Sequence, residues 1–214
     1  MARPRTTPRK LPRQQRSHET VEAILEATRR ALVRHGYAGA TTARIAELAG
    51  VSIGSLYQYF PSKDALLTAL SRRHSDTMGA LFRERLVASR ALPLREAVRL
   101  LIQTEMDALQ EEPELLRVLF DQAPRVGSFE HIAAVQARLV RMTAEELALR
   151  PELASLPDPG LTAFLLVHAI DGVCQAALQR RPELVLSPAL LDACTDLVMN
   201  HLGAVAPPPA RGDG

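Results

Sequence analysis

Apolar residues recur at intervals of three and four along most of the chain, which is the spacing of one face of an α-helix. In residues 160–180 the apolar positions run nearly all round the helix, a pattern typical of burial on more than one side. Prolines and glycines interrupt the pattern and mark the ends of the segments. The pattern therefore predicts an all-α protein of about nine helices, with approximate bounds 18–35, 41–49, 53–60, 64–90, 94–110, 114–122, 129–149, 160–180 and 188–202.

The segment 41–63 predicts two short helices joined by a tight turn. Thr41 or Thr42 stands where a side-chain oxygen can cap the free N–H groups of the first helix. Gly50 follows that helix, and glycine adopts the left-handed conformation of a helix end without steric cost. Ser52 can cap the second helix, and a proline ends it. The segment is a helix-turn-helix in outline.

The second of these helices keeps only Leu56 and Phe60 for a core. Its other positions are small or carry hydrogen-bonding tips, so the helix is suited to lie against a polar surface. In helix-turn-helix proteins the second helix enters the DNA major groove. The small and polar positions are Gly54, Ser55, Tyr57, Gln58 and Tyr59.

Residues 17–66 resemble the DNA-binding domain of TetR-family transcriptional regulators. The resemblance rests on a sequence of motifs in order, namely Arg34-His35-Gly36-Tyr37, Thr41-Thr42, Ile45-Ala46-Glu47-Leu48-Ala49-Gly50-Val51-Ser52, Leu56-Tyr57-Gln58-Tyr59-Phe60 and Ser62-Lys63-Asp64-Ala65-Leu66. It implies a three-helix DNA-binding head followed by an all-helical body for dimerisation and ligand binding. It also implies that Tyr57 holds the DNA backbone and that Lys63 clamps a phosphate.

The candidate DNA-binding residues differ in whether their side chains suit a phosphate or a base. The start of the first helix at Thr42 offers a hydroxyl and free N–H groups to a phosphate. A glutamine such as Gln58 can pair with adenine, while Arg44 can reach a phosphate or a base. Tyr59 is expected either to read bases or to pack partly under the domain. The candidate DNA-binding residues are Thr42, Arg44, Ser52, Gly54, Ser55, Tyr57, Gln58, Tyr59 and Lys63.

The charge is distributed unevenly. Residues 1–63 carry a balance of +7 and the remainder −5, as expected for a polyanion-binding head on another body. We predict a disordered basic arm over 1–16, a DNA-binding domain over 17–63, a ligand-binding and dimerisation domain over 64–203, and a disordered tail over 204–214. The basic arm is expected either to add phosphate or minor-groove contacts or only to increase solubility.

The rest of the composition excludes several protein classes. Cys174 and Cys194 lie in helical segments without metal-ligand spacing or the pattern of a disulfide framework, so reduced thiols are expected. No metal or cofactor site is predicted. No signal peptide and no uninterrupted apolar run of 18 residues is found. We expect a soluble cytoplasmic protein that does not bind membranes.

The last two predicted helices indicate a homodimer. Two apolar helices from each of two chains would form a four-helix interface, as the resemblance implies, and small residues would allow close approach. The candidate interface residues are Leu161, Leu165, Gly172, Ala176, Leu190, Leu191, Cys194, Leu197 and Val198.

Polar side chains on apolar helices are the only indication of a ligand. They favour either a largely apolar pocket with a few polar anchors or a hydrogen-bonded pair of His168 and Asp171 inside the dimer interface, which is the commoner arrangement. Gln175 is a further polar candidate. The candidate effector residues are Met78, Glu105, Met106, Phe120, Phe164, His168 and Asp171.

Two functions follow as hypotheses. The first is a dimeric repressor that binds a near-palindromic DNA operator and is released by a small-molecule effector. The second is an enzyme built on the helical body with a vestigial head. The enzyme is disfavoured because the sequence contains no nucleophile elbow, phosphate loop or paired-carboxylate arrangement.

Overall fold

The computed structural model describes residues 15–126 and 129–205. The first fourteen residues of the basic arm and all but the first two residues of the predicted tail lie outside the described residues. The described part is all-helical, as predicted. Its α-helices are α1 (Gln15–Gly39), α2 (Thr42–Leu48), α3 (Ile53–Tyr59), α4 (Lys63–Ala88), α5 (Leu94–Glu111), α6 (Pro113–Val126), α7 (Phe129–Leu149), α8 (Pro159–Arg180) and α9 (Pro188–Val205).

The helix boundaries lie within four residues of the predicted ones, and the largest differences are at α1, at the end of α6 and at the end of α9. The helix α1 begins three residues earlier than predicted and bends at Gly36, where φ is 61° and ψ is −178°. The predicted end of α6 at Gln122 is wrong, because the helix continues through Pro124 to Val126. A proline removes one N–H donor from a helix but does not by itself end the last turn. Short 3-10 helices follow α4, α7 and α8.

The contacts divide the described chain into two compact units. The first unit takes its residues from 1–76 and 113–133, and the second from 77–112 and 134–214, within the described ranges. The first unit is therefore larger than the predicted DNA-binding domain, because it includes the first part of α4 and all of α6. The functional division at residues 63 and 64 remains a prediction.

The first unit is built around α1, which packs against α2 and α6, while α2 packs against α3. Apolar side chains spaced by three and four residues in α1 meet those of the helix-turn-helix. The fully buried apolar side chains include Ile24, Leu32, Ile45, Leu56, Phe60, Leu66 and Leu67. Within α3 only Leu56 is fully buried, and Gly54, Tyr57 and Gln58 stay exposed.

The second unit is centred on α5, which packs against α8 and α9. Ion pairs between Arg95 and Asp196 and between Arg99 and Asp192 flank the contact of α5 with α9. These pairs are exposed, and each is expected to contribute less than about 1 kcal/mol. Burial of apolar side chains therefore dominates the packing. They include Ile102, Met106, Leu109, Leu178, Leu191, Val198 and Leu202.

The helix α8 is unusual because much of its apolar surface is exposed within one protomer. Leu161, Phe164 and Leu165 are 56%, 51% and 45% exposed. By length and composition, α8 is the one described helix that could cross a membrane. It also carries Asp171, whose side chain is hydrogen-bonded to glutamines of the same unit. The described residues of the protomer therefore leave this apolar side of α8 uncovered.

Candidate DNA-binding surface and effector site

The local sequence fixes the turn between α2 and α3 as predicted. The Thr41 hydroxyl accepts from the backbone N–H of Arg44 at 3.3 Å and caps α2. Gly50 has φ 68°, a left-handed conformation that residues with a Cβ rarely adopt. The Ser52 hydroxyl accepts from the N–H of Ser55 at 3.0 Å and caps α3. The two caps and the left-handed backbone of Gly50 together set the direction in which α3 leaves the turn.

The outer surface of α3 is exposed and polar. Gly54, Tyr57 and Gln58 are all exposed. The Gln58 amide forms no hydrogen bond within the described chain, so both its donor and its acceptor face solvent. A Cβ added at Gly54 would meet only the Ser52 hydroxyl oxygen, at 3.9 Å, so nothing in the fold itself requires a glycine at this helical position. This surface has the properties of a recognition helix.

Two hydroxyl groups meet beside this surface. The Tyr57 hydroxyl oxygen lies 3.0 Å from the Thr42 hydroxyl oxygen, so the first turn of α2 is joined to the middle of α3. The pair is exposed, and each hydroxyl keeps further hydrogen-bonding capacity. Both residues were predicted to contact phosphate, and the structure brings them together at one point.

Tyr59 is placed differently from the other residues of α3 that were predicted to read bases. It is half-buried, and its hydroxyl lies 3.1 Å from the hydroxyl of Ser17 at the start of α1. The side chain therefore packs against the domain, which was the alternative considered for it. The position of Tyr59 favours the packing alternative, and base reading by Gly54, Ser55 and Gln58 stays a prediction.

Lys63 is held by the domain itself. Its ammonium nitrogen donates to the backbone carbonyl of Tyr37 at 2.7 Å and lies 3.7 Å from the centre of the Tyr37 ring. The Tyr37 hydroxyl in turn donates to Asp64 at 2.7 Å. Desolvation lowers the pKa of Lys63, while the neighbouring Asp64 charge opposes the fall. The ammonium group has three N–H donors and retains some for a phosphate.

Three other candidates also form hydrogen bonds within the head. The Arg44 guanidinium donates to the carbonyl of Gly39, although Arg44 remains exposed. The Ser55 hydroxyl lies 2.9 Å from the hydroxyl of Ser52, which is the capping residue. Ser52 thus has a structural role at the helix start, and Ser55 presents a hydroxyl whose position the cap fixes.

A polar cluster lies among the apolar helices of the second unit. The two carboxylate oxygens of Asp171 accept from the side-chain amides of Gln136 at 2.8 Å and Gln175 at 2.7 Å. Glu105 is half-buried, and desolvation raises the pKa of its carboxyl group to about 7, with the charge of Asp171 adding to the rise. Within the described chain, Glu105 forms neither a hydrogen bond nor an ion pair.

The thiol of Cys174 adjoins this cluster. Burial, followed by the charge of Glu105, raises the pKa of Cys174 to about 12, so the thiol is neutral and not a reactive thiolate. In the part of the chain that the structure describes, no three His, Cys, Asp or Glu side chains are grouped so that they could hold a metal ion.

The predicted pairing of His168 with Asp171 is wrong. The Asp171 carboxylate is satisfied by Gln136 and Gln175, and the His168 ring instead packs edge-to-face on Phe164, with ring centres 4.5 Å apart. Phe164 is 51% exposed, so these two rings lie on the outer side of α8. The remaining effector candidates are dispersed. Met106 belongs to the buried core, Met78 is half-buried, and Phe120 packs on His74 in the first unit.

The proposed dimer residues fall into two groups. Leu161, Leu165, Gly172, Ala176 and Leu197 are exposed, and Leu190 is half-buried. The other three, Leu191, Cys194 and Val198, are at most 5% exposed within a single protomer. They pack into the protomer's own core and are therefore withdrawn from the predicted contact set.

No pattern in the sequence predicted the hydrogen-bond partners of Ser17, Tyr37 or Gln136. Their partners lie 42, 26 and 35 positions away in the chain. No local pattern signals contacts at such separations.

Two family models match the chain. One is described as bacterial regulatory proteins of the tetR family and covers residues 24–70. The other is described as the tetracyclin repressor-like C-terminal domain and covers residues 93–202, slightly more than half of the chain. The first match includes the helix-turn-helix, and the second includes the polar cluster and the exposed face of α8.

Characterised relatives match over part of their length. The chain is 32% identical over 138 residues to the HTH-type transcriptional regulator RutR of Escherichia coli strain K12, covering 63% of this chain and 58% of RutR. It is 38% identical over 63 residues to the HTH-type transcriptional repressor AcnR of Corynebacterium diphtheriae, covering 29% of this chain and 33% of AcnR. The chain thus spans between a third and three fifths of these relatives.

Solved structures match over nearly the whole chain. A TetR-family regulator from Mesorhizobium loti superposes with a TM-score of 0.71 at 20% identity, covering 90% of this chain and 98% of that one. The fatty acid degradation regulator FadR from Bacillus halodurans superposes with a TM-score of 0.67 at 21% identity, covering 87% of this chain and 96% of that one. The multidrug binding protein EbrR, complexed with imidazole, superposes with a TM-score of 0.59 at 25% identity, covering 90% of this chain and 98% of that one.

Proposed function

Because the chain belongs to the TetR family of DNA-binding transcriptional regulators, which are not enzymes, we propose that it is a homodimeric repressor released from its operator by a small molecule. The exposed polar face of α3 is the observation that carries the DNA-binding assignment. Gln58 projects from it with no partner in the described chain, and Gly54 leaves room for close approach. We propose that the regulator acts in the cytoplasm.

We propose that base reading and backbone contact are divided along α3. Gln58 and Ser55 reach base edges, where a well-formed bidentate pair is worth about 1–3 kcal/mol of discrimination. The hydroxyl pair of Thr42 and Tyr57 binds a phosphate beside the groove. Lys63 adds a second backbone contact through the N–H donors that Tyr37 does not use. Arg44 contributes charge at the edge of this surface.

The dimer is proposed on the exposed face of α8. Leu161, Leu165, Gly172 and Ala176 follow one another at four-, seven- and four-residue steps and share a stripe along the helix. Leu197 of α9 is also exposed. An apolar stripe of this length is typical of an interface between subunits. A second copy gives an isologous contact and pairs two recognition helices about 34–36 Å apart on a near-palindromic operator.

The effector is proposed to bind near Glu105 and Asp171. These two acidic groups lie close enough to raise the pKa of Glu105, and no basic side chain pairs with either in the described chain. A ligand with a positive charge or several N–H donors would pair with this partly desolvated negative charge. EbrR, which is similar in fold, is a multidrug binding protein complexed with imidazole, a nitrogen base. This supports a nitrogen-containing effector.

The affinity for the operator and the affinity for the effector must be coupled. If the effector weakens operator binding by some factor, the operator weakens effector binding by the same factor. AcnR is a repressor by name, whereas RutR is a regulator, so repression is proposed from the first of these relatives.

The test starts from DNA selection. The full chain is incubated with a library of 40-base-pair duplexes of random sequence, and the bound fraction is amplified through successive rounds. Enrichment of a near-palindromic sequence, bound by two protomers in sedimentation measurements, is the expected result. Failure to enrich any sequence by a folded protein would overturn the proposed function.

A further inference from the structure

We infer that Ile53 reads a thymine in each operator half-site through an apolar contact with the C5-methyl group of that base. The inference rests on the proposed operator-binding function and adds one residue to the base-reading surface of α3. Two observations carry it. One is the exposure of the Ile53 side chain, and the other is its position on the helix.

Ile53 is the one aliphatic side chain that α3 exposes. The helix contains two aliphatic residues, of which Leu56 is fully buried and Ile53 is 47% exposed. The other exposed residues of α3 are Gly54, Tyr57 and Gln58. Single apolar side chains are common on protein surfaces, so exposure alone assigns no function to Ile53. Its position on the helix supplies the second part of the evidence.

Ile53 is the first residue of α3 and directly follows the capping residue Ser52. The first residues of a recognition helix are the ones that contact base edges in the major groove. The apolar staple found at many helix starts pairs the residue before the cap with the fourth helical residue, here Val51 and Leu56. Because this pairing does not involve Ile53, the helix start gives no reason for an apolar side chain at that position.

The spacing along α3 separates Ile53 from the other proposed base reader. Residues four apart on a helix are neighbours on one face, so Ile53 lies on the side of α3 that carries Tyr57. The Tyr57 hydroxyl, paired with that of Thr42 at 3.0 Å, is the proposed phosphate contact. Gln58 is five positions from Ile53, or about 140° around the helix. The two side chains therefore reach different base pairs.

Thymine offers the apolar feature that suits this side chain. Its C5-methyl group lies in the major groove, where apolar side chains recognise it by contact and where the other three bases have no such group. Carbon atoms in contact lie about 3.5–4.0 Å apart, so the helix must come close to the bases. Gly54 adjoins Ile53, and a Cβ added there would meet only the Ser52 hydroxyl oxygen, at 3.9 Å. The missing side chain of Gly54 thus leaves room for this approach.

The test uses deoxyuridine, which pairs as thymidine does but lacks the C5-methyl group. In the selected operator, each thymine is replaced by deoxyuridine, one position at a time and in both half-sites together. The unmodified chain, Ile53→Ala and Ile53→Val are titrated with every duplex by fluorescence anisotropy. Val33→Ala is the matched control, because Val33 is an aliphatic residue of α1 that is 40% exposed.

We expect deoxyuridine at one thymine of the half-site to weaken binding by the unmodified chain. Loss of one buried methyl group corresponds to about a four-fold decrease in affinity, or roughly fifteen-fold for the two half-sites together. Ile53→Ala should bind the thymine and deoxyuridine operators equally, and Ile53→Val should retain most of the difference. Val33→Ala should behave as the unmodified chain. Circular dichroism should show the same helix content in all four proteins.

Two results would overturn the inference and leave the repressor assignment in place. One is a selected operator that has no thymine in its half-sites or in which no deoxyuridine weakens binding. The other is a loss that Ile53→Ala shows as strongly as the unmodified chain, which would assign the methyl contact to another residue. If the unmodified chain selected no operator at all, the repressor assignment would fail, and base reading by Ile53 would be withdrawn with it.

Discussion

The hydroxyl oxygens of Thr42 and Tyr57 lie 3.0 Å apart and join the start of α2 to the exposed face of α3. This contact spans the turn of the helix-turn-helix. Because both residues are accessible, the pair can bind an oxygen acceptor outside the protein without any rearrangement of the core. It therefore provides a direct test of how the head contacts the DNA backbone.

Removing the Tyr57 hydroxyl should weaken binding to every duplex. Tyr57→Phe keeps the ring and deletes one donor, and a hydrogen bond to a charged group is worth about 1.5–3 kcal/mol. We expect affinity to fall about ten-fold or more on operator and random DNA alike, measured by fluorescence anisotropy. The unfolding midpoint should be unchanged, since the hydroxyl pair is exposed. A decrease restricted to the operator would instead assign Tyr57 to base reading.

Gln58 should determine base preference. Its amide is exposed and forms no hydrogen bond with the rest of the described chain. Gln58→Ala should therefore relax the preference at one or two positions of each half-site, at a cost of about 1–3 kcal/mol on the preferred operator. Repeating the selection with this variant measures the change. An unaltered consensus would remove Gln58 from the base-reading set.

Lys63 should combine a structural role with a backbone contact. Its ammonium group bonds the Tyr37 carbonyl and covers the Tyr37 ring. Lys63→Ala should lower the free energy of unfolding by about 1 kcal/mol. It should also flatten the salt slope by about 0.9 per protomer without altering base preference.

The matched variant for Lys63 is Tyr37→Phe. It removes the hydrogen bond to Asp64 but keeps the aromatic ring and the backbone carbonyl. We expect a similar decrease in stability from this variant and an unchanged salt slope. If Lys63→Ala also left the slope unchanged, Lys63 would only hold the helix in place.

The sequence predicted those features that depend on neighbouring residues. The caps at Thr41 and Ser52 and the left-handed Gly50 each arise within a few positions of the chain. The helix-turn-helix could be placed for this reason. Proline was a less reliable signal, because α6 continues through Pro124, which the sequence placed at the end of that helix.

The features that the sequence did not predict depend on distant residues. The partner of the Tyr59 hydroxyl is Ser17, 42 positions away, and that contact favours packing over base reading for Tyr59. Periodicity also cannot tell a protomer's own core from a subunit interface, since both need apolar faces. Leu191 and Val198 were therefore assigned to the dimer although they are buried within one chain.

The stability of the second unit should depend on the protonation of Glu105. Because its folded pKa is raised from 4.5 to about 7, the folded state binds the proton more tightly than the unfolded state does. This contribution is fully present below pH 4.5 and is lost as pH rises through about 7. Glu105→Gln should remove that dependence and gain on the order of 2–3 kcal/mol relative to the unmodified chain by pH 8.

The measurement for Glu105 is urea unfolding of both proteins between pH 5 and 8. Other groups titrate in both chains, so the difference between the two isolates Glu105. Cys174→Ser is a useful control, because the neighbouring thiol is neutral throughout this range. A constant difference across the pH range would show that the Glu105 carboxyl is solvated.

A charge on the exposed stripe of α8 should separate the protomers. Leu165 is 45% exposed and lies between Leu161 and Gly172 on this face. Leu165→Glu leaves the protomer's core intact, but it would place a carboxylate from each chain in an apolar contact, where an unpaired charge costs several kcal/mol. We expect a monomer in sedimentation velocity at micromolar concentration, and loss of tight binding to a two-half-site operator.

Leu149→Glu is the matched control, since Leu149 is 69% exposed near the end of α7 and outside the stripe, and it should remain dimeric. If Leu165→Glu were as dimeric as this control, the subunit contact would have to lie on another surface, and the pairing of recognition helices proposed from α8 would be withdrawn.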